Sequence, residues 1–144
     1  MNLRRLGLLS TASSPMGDEA LRNLLRDCRQ NNGRRKICGY LHYHQGDFVQ
    51  VLEGPDQVIG DCLERIRRDT RHHSIKVLFD EPVNRRTFAN WSMGYSHDTR
   101  TKPELYRRIQ AGIARLRSGE HMAATQVLMF LDQLMQAGQI EQVF

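Results

Sequence analysis

The chain has 144 residues, 40% of them hydrophobic, and this size is typical of a single domain built around one core. No apolar run is long enough to span a membrane and no signal-peptide pattern occurs near the N-terminus, so we expect a cytoplasmic protein without a membrane partner. The net charge of +5 is spread along the chain without a nucleic-acid-binding motif, which argues against a nucleic-acid partner.

The first half of the chain predicts a strand, a helix and a hairpin. Residues 3–10 form a short apolar run that predicts a strand. Apolar residues within 21–28 recur at i, i+3, i+4 and i+7, which predicts a helix that ends near Asn31. Two strand-like runs, 37–44 and 48–52, follow and are joined through a tight turn that contains a glycine.

The next segment predicts a second helix and two more strands. Residues 59–66 have helical apolar spacing, with Asp56 as a candidate N-cap. Strands are expected at 75–79 and 88–95. The order strand, helix, strand, strand, helix, strand, strand predicts an α+β, ferredoxin-like βαββαββ sheet with both helices on one face. A cleft between the two helices is the natural ligand site of this arrangement.

The remaining residues have a purely helical pattern. Two apolar stripes are separated by a turn near Gly119, and their members are Leu105, Ile109, Ile113, Leu116, Val127, Phe130, Leu131 and Leu134. We therefore divide the chain into a domain at 1–97 and a C-terminal helical extension at 98–144. The extension is expected to pack on the sheet or to form an oligomer interface.

Gln50 is unusual for a core strand. It shares one strand face with Phe48 and Leu52, so an amide lies within an apolar row. If this face points inward, an unpaired amide would cost about 1–3 kcal/mol, and such a group normally bonds to protein, water or a ligand. In the alternative, Val49 and Val51 point inward and Gln50 is solvated. The sequence alone leaves both orientations open.

Other notable side chains have ordinary explanations when each is considered alone. Asn31 and Asn32 suit a helix that closes in a left-handed conformation. Several polar side chains lie around the end of the second helix, where cations offset the helix dipole. They are Arg65, Asp69, Arg71, His72 and His73. Trp91 and Met93 lie two apart on a predicted strand, as ordinary core residues often do.

The sequence indicates no metal site. His42 and His44 lie two apart on a strand, but no third ligand has suitable spacing and exposed strand histidines are commoner. The cysteines Cys28, Cys38 and Cys62 are odd in number and lie within apolar patterns, so we expect buried thiols and no disulfide. Dinucleotide, nucleoside-triphosphate and hydrolase motifs are also missing, which leaves no evidence for an enzyme.

Several short blocks occur in a fixed order between about residues 3 and 95. They are Asn31-Asn32, Ile37-Cys38-Gly39-Tyr40-Leu41, Phe48-Val49-Gln50-Val51-Leu52-Glu53-Gly54, Asp69-Thr70-Arg71-His72 and Arg86-Thr87-Phe88-Ala89-Asn90-Trp91-Ser92-Met93. In order and spacing they resemble the blocks of the BLUF family of flavin-binding blue-light sensors. The helical tail resembles that of short, stand-alone members of the family.

The resemblance implies a noncovalently bound FAD or FMN between the two helices, in the domain at 1–97. Asn31 and Asn32 would bond to the polar edge of the flavin, and Gln50 would face its N5 and O4 atoms. The ring carbonyls, ribityl chain or phosphates would lie near Arg65, Asp69, Arg71 and His72. Trp91 and Met93 would form the strand that passes the state of the glutamine to the protein surface.

The sequence departs from the family at Leu8. At this place the family has a tyrosine, which donates an electron and a proton to the excited flavin before the glutamine rearranges. Leucine has no redox-active group, so the resemblance implies a lost or altered photocycle unless Tyr40 or Trp91 substitutes. Cys38 also replaces a threonine.

The resemblance thus predicts a flavin-binding blue-light photoreceptor or signalling protein. As further partners we expect a second copy of the chain, in a homo-oligomer, and a downstream regulatory protein. The alternative is a flavin-free protein–protein interaction or regulatory module on the same fold. The observation that favours this alternative is the pair of apolar stripes in the helical tail.

Overall fold

The structure is a computed structural model that describes residues 2–89, 91–97, 103–119, 124–137 and 139–141. The described elements, in chain order, are β1 (Leu3–Ala12), α1 (Asp18–Arg34), β2 (Cys38–His44), β3 (Asp47–Pro55), α2 (Asp56–Arg68), β4 (His72–Val83), β5 (Gly94–His97), α3 (Pro103–Arg117), α4 (Ala124–Ala137) and β6 (Gln139–Glu141). Among the described helices, none has an apolar stretch long enough to span a bilayer.

The strands form one sheet in the order β4-β1-β3-β2-β5-β6. β1 pairs antiparallel with both β3 and β4, and β2 pairs antiparallel with β3. β5 adds to the sheet parallel to β2, and β6 pairs antiparallel with β5. The α+β, ferredoxin-like prediction is therefore confirmed. β6 was not predicted, because a three-residue strand depends on its pairing partner more than on its own pattern.

Each face of the sheet carries its own apolar cluster. The face toward α1 and α2 is formed by residues that include Leu6, Leu8, Leu25, Leu41, Phe48, Leu52, Ile59 and Met93. On the opposite face, Ile113 and Leu116 of α3 and Val127 and Leu131 of α4 pack on strand residues that include Leu9, Tyr40, Val49 and Val51. The described residues of the tail therefore pack on the second face of the sheet.

The tail prediction reaches beyond what the structure describes. Leu105, Ile109, Phe130 and Leu134 lie outside the described side chains. The division of the chain at residues 97 and 98 stays a prediction, although the shared cluster joins the tail to the sheet.

Three local predictions need correction or refinement. The β2–β3 turn has positive φ at Gln45 (44°) and Gly46 (87°), as expected for a type I′ hairpin. Asp56 is the first residue of α2 and not its cap, a position that Pro55 occupies. The prediction that α1 ends in a left-handed conformation at Asn31 and Asn32 is wrong. The helix continues to Arg34, and the left-handed residue is Lys36, with φ of 59°.

Candidate functional site

The structure settles the orientation of Gln50. Val49 and Val51 are fully buried on the α3/α4 face, so Gln50 between them points to the α1/α2 face. There it lines a pocket of about 110 Å³ between the two helices. In the strand register its cross-strand neighbours are Leu8 of β1 and Leu41 of β2, both buried on the same face.

The pocket brings most of the predicted site residues together. Its lining residues are Asp27, Cys28, Asn31, Asn32, Gln50, Leu52, Cys62, Arg65, Ile66, Asp69 and Arg71. Six of the seven predicted binding residues are in this set, and only His72 is not. Sequence reasoning missed the other five, which are Asp27, Cys28, Leu52, Cys62 and Ile66. Helical spacing was an available signal, since 27 and 31, 28 and 32, and 62 and 66 are each four residues apart.

His72 supports the fold beside the pocket. Its Nε2 donates to the backbone oxygen of Ile66 at 2.8 Å, near the end of α2, and its Nδ1 lies 3.0 Å from the hydroxyl of Ser10. The ring also meets Phe48 edge-on, with ring centroids 6.3 Å apart. His72 therefore joins β4 to α2 and β1, and the pocket lining does not include it.

Arg71 links the two sides of the pocket. Its Nη1 donates to Asp27 of α1 at 3.0 Å, and its Nη2 donates to Asp69 at 2.7 Å. The backbone N–H of Arg71 also donates to Asp69, at 3.0 Å. The hydrogen bonds from Arg71 hold the pKa of the Asp69 carboxyl below its ordinary value. With side chains 27–42% exposed, these groups form the rim of the pocket.

The ion pair at this rim predicts a pH-dependent stability. We expect Asp69→Asn to lower the free energy of unfolding by about 1 kcal/mol at pH 7, since a partly exposed pair contributes modestly. A carboxyl whose pKa is lowered by folding stabilises the protein above the unfolded pKa of about 4, and this stabilisation is lost as the pH falls through the folded value. The difference between wild type and variant should therefore shrink in acid.

Urea unfolding at pH 7 and pH 3 measures this difference. A matched control is Glu64→Gln, which removes the exposed pair with Arg68. If both variants show the same small, pH-independent change, the rim ion pair does not have the assigned role.

Arg65 carries a buried donor that nothing in the described protein satisfies. Its Nη1 has no hydrogen-bond partner among the described residues, although the guanidinium lies near the thiol of Cys62. Leaving a buried donor unpaired costs about 1–3 kcal/mol, so such a group is expected to have an acceptor when the protein works. Guanidinium and amide donors around a slot suit a planar ring with carbonyl oxygens. The residues present therefore fit a flavin.

Two residues of α1 hold the segment that precedes β5. Asn32 is buried, and its Nδ2 donates to the backbone oxygen of Ser92 at 2.6 Å. Arg29, which the sequence analysis did not single out, donates from Nε to the backbone oxygen of Met93 at 3.1 Å. Asn31 lies exposed at the rim. The pocket wall is thus attached directly to the segment that contains Met93.

The predicted strand at 88–95 is wrong in extent, because β5 begins at Gly94. Trp91 and Met93 precede the strand and lie on opposite faces of the sheet. Trp91 packs against Phe88 and other residues of the α3/α4 face, whereas Met93 is fully buried on the α1/α2 face. Asn90 of the same sequence block lies outside the described residues.

The pocket thiols are protonated at neutral pH. Burial raises the pKa of Cys28 to about 11 and raises that of Cys62 as well. Both cysteines, like Cys38, are free. Cys38 and Cys62 are buried as the sequence predicts, whereas Cys28 is only partly buried.

The expectation of exposed histidines on β2 is wrong. His42 and His44 are both buried, and Nδ1 of His42 lies 2.6 Å from the Ser96 hydroxyl, which also contacts the hydroxyl of Tyr40. Within the described part of the chain, no three candidate ligands cluster as a metal site would require.

Comparison with known proteins identifies the domain. The model of the family described as sensors of blue-light using FAD (BLUF) matches residues 3–94. Photoactivated adenylate cyclase subunit alpha of Euglena gracilis is 33% identical over 116 residues, which are 78% of this chain and 11% of that protein. The chain therefore spans about a tenth of the length of this curated relative.

Two solved structures are similar over much of the chain. BlsA in its photo-activated state aligns with 100% of this chain and 99% of its own, at a TM-score of 0.74 and 29% identity. The BLUF protein BlrB in its dark state aligns with 74% of this chain and 83% of its own, at 0.68 and 29%. The matched domain is a sensor module and not an enzyme. With nearly two thirds of its residues inside the family match, this chain belongs to the BLUF family of flavin-binding blue-light sensors.

Proposed function

We propose that the pocket between α1 and α2 binds FAD and that the photocycle of this blue-light sensor is lost or altered. The observation that carries the proposal is that Gln50 lines the same pocket as Arg65, whose Nη1 has no partner among the described residues, and that Leu8 lies beside Gln50. FAD is preferred over FMN because the matched family is described as using FAD.

Each predicted binding residue that lines the pocket has a chemical role in this proposal. Arg65 and Asn31 supply donors for carbonyl oxygens at the polar edge of the ring, and Gln50 supplies an amide that both donates and accepts. Asn32 uses one donor on Ser92, so it contributes with its remaining amide atoms. At the rim, Arg71 and Asp69 lie where the ribityl and phosphate groups would leave the pocket. The flavin itself would supply blue absorption and a redox-active ring.

Leu8 is the reason to expect an altered light response. Its side chain is 2% exposed and lies directly across from Gln50 in the β1–β3 pair, but it has no hydrogen-bonding or redox-active group. Tyr40 and Trp91 are the two candidate substitutes for the missing tyrosine. Both pack on the α3/α4 face, with the sheet between them and the pocket. We therefore propose that neither replaces the missing tyrosine.

Absorption spectroscopy tests this proposal. Purified protein mixed with FAD should turn yellow and retain the flavin through gel filtration, and blue illumination should produce no lasting red shift. A colourless protein that refuses FAD would overturn the flavin assignment. A normal reversible red shift would overturn the lost photocycle and leave the flavin assignment intact.

One observation favours a second candidate function. The pocket of about 110 Å³ is smaller than the roughly 300 Å³ at the lower end of ligand pockets, so a flavin-free interaction module remains an alternative. In that case the chain would form a homo-oligomer or bind a downstream regulatory protein through its tail. Met129 of α4 is 67% exposed and is therefore accessible to such a partner. Four other apolar residues of the tail instead pack against the sheet of the same chain: Ile113, Leu116, Val127 and Leu131. Sedimentation that shows a monomer at all concentrations would remove the homo-oligomer.

We also propose a cytoplasmic location. The three free cysteines support a reducing compartment, because thiols there are kept from forming disulfides. Alkylation of the freshly isolated, unfolded protein should label all three thiols. An oxidised fraction would contradict this proposal.

A further inference from the structure

Glu53 is a fully buried carboxylate on the sheet face opposite Gln50. It lies three residues after Gln50 on β3, so strand alternation points its side chain to the α3/α4 face. Arg5, its cross-strand neighbour on β1, balances the charge through a hydrogen bond from Nε to Glu53 Oε2 at 2.8 Å. One strand therefore presents Gln50 to the pocket and Glu53 to the other side of the sheet.

The carboxylate of Glu53 holds the chain segment that follows β4. The backbone N–H of Thr87 donates to Oε2 at 3.0 Å, and that of Phe88 donates to Oε1 at 2.8 Å. Arg86 adds a bond from Nη1 to the backbone oxygen of Glu53 at 3.1 Å. Arg5 closes the network with a bond from Nη2 to the Thr87 hydroxyl at 2.7 Å. Three consecutive residues are thus tied to a single position of β3.

This segment fixes Trp91. The backbone N–H of Trp91 donates to the backbone oxygen of Phe88 at 3.0 Å. The Phe88 ring in turn stacks on the Tyr40 ring, at a centroid distance of 6.1 Å. The Trp91 ring lies 5.9 Å from that of Phe88 and covers Gly94, where a methyl group would collide with it. Its place on the α3/α4 face therefore depends on Phe88, which Glu53 holds, and on Gly39 of β2, whose backbone N–H donates to the backbone oxygen of Trp91 at 3.0 Å.

We propose that Glu53 is a positioning residue that couples the strand carrying Gln50 to Trp91 on the opposite face of the sheet. The carboxylate accepts hydrogen bonds from the backbone N–H groups of Thr87 and Phe88, and the position of Phe88 determines that of Trp91. A displacement of β3 at the pocket therefore moves the indole ring. The coupling rests on the proposed function, because a flavin at Gln50 is what would displace β3. The positioning of Trp91 by Glu53 does not require flavin.

The positioning can be measured without flavin, since Trp91 is the only tryptophan of the chain. Protein labelled with 5-fluorotryptophan should give one sharp ¹⁹F signal, displaced from that of the unfolded protein. In Glu53→Gln this signal should broaden and move toward the unfolded position. The matched control is Glu81→Gln, which removes another partner of Arg5, bound at 3.3 Å with its side chain 34% exposed. An unchanged signal in Glu53→Gln, or an equal change in both variants, would overturn the proposal.

The coupling is measured by adding FAD. In the wild type, the ¹⁹F signal should move as FAD binds; in Glu53→Gln, FAD should bind with affinity within about threefold of wild type while the signal stays still. A signal that follows FAD in both proteins would overturn the coupling. If the wild type binds no FAD, the proposed function fails, and the comparison without flavin still decides the positioning.

Hydrogen exchange of the wild type guards against a variant that does not fold. The amides of Thr87 and Phe88 should exchange at least tenfold more slowly than the amide of Asn84 in the bend before them. Equally fast exchange at all three would show that Glu53 does not hold the segment and would overturn the proposal.

Discussion

Leu8→Tyr should give the protein a reversible, light-induced red shift of its flavin absorption, which the wild type should lack. The side chain at position 8 lies directly across from Gln50 on the pocket face, so a phenol there would lie beside the amide. The larger ring must fit a site that is 2% exposed, and overpacking of this kind costs about 1–3 kcal/mol of stability. Absorption spectra before and after blue illumination measure the gain, and thermal unfolding measures the cost.

Leu41→Tyr is the matched control for this gain. Leu41 of β2 pairs directly with Gln50 on the same sheet face and is buried like Leu8. The substitution therefore places the same ring beside Gln50, but from β2 and not from β1. We expect no red shift from this variant, because the family resemblance assigns the tyrosine to β1. A folded, flavin-loaded Leu8→Tyr protein without a red shift would contradict the assignment of position 8.

Arg65→Met should weaken FAD binding and, without FAD, should not destabilise the protein. A hydrogen bond from a charged donor contributes about 1.5–3 kcal/mol, which corresponds to a roughly 10- to 150-fold rise in Kd. In the absence of ligand, Nη1 of Arg65 is buried and unpartnered among the described residues, so an apolar side chain of similar length should raise stability by about 1 kcal/mol. Fluorescence titration with FAD and urea unfolding measure the two effects.

Arg68→Met supplies the control on the same helix. The Arg68 side chain is 81% exposed, and that of its ion-pair partner Glu64 is 66% exposed. Its FAD affinity and stability should stay near those of the wild type. If Arg65→Met binds FAD normally and unfolds more easily, then Arg65 supports the fold and is not a ligand donor.

The scaffold could be predicted from the sequence because its elements carry clear periodic signals. The apolar spacing in 21–28 and in 59–66 located both pocket helices, and Gly46 located the hairpin turn. Alternation along β3 left two orientations for Gln50, since valines and large apolar residues alternate with equal plausibility. The packing of α3 and α4 against Val49 and Val51 determines that these valines face the tail and that Gln50 faces the pocket helices.

The predictions that failed depend on contacts far apart in sequence. Asn32 looked like a helix terminus, but its amide is held by Ser92, sixty residues away. Trp91 and Met93 looked like one strand face, but β5 pairs with β2 only from Gly94 onward. The partners of a polar residue at a turn or edge come from tertiary structure, which no local pattern records.

Asn32 and Glu53 place the same segment from two sides. Asn32 bonds the backbone at Ser92 from the pocket face, whereas Glu53 bonds the backbone at Phe88 from the α3/α4 face. Trp91 lies between these two attachments in sequence. The segment around Trp91 is therefore attached to α1 on one side of the sheet and to β3 on the other.

The side-chain amide signals of ¹⁵N-labelled protein, titrated with FAD, test the central claim most directly. The Gln50 signal, assigned by its loss in Gln50→Leu, should move together with that of Asn32. FAD binding that leaves the Gln50 signal unmoved would show that the flavin occupies a different site.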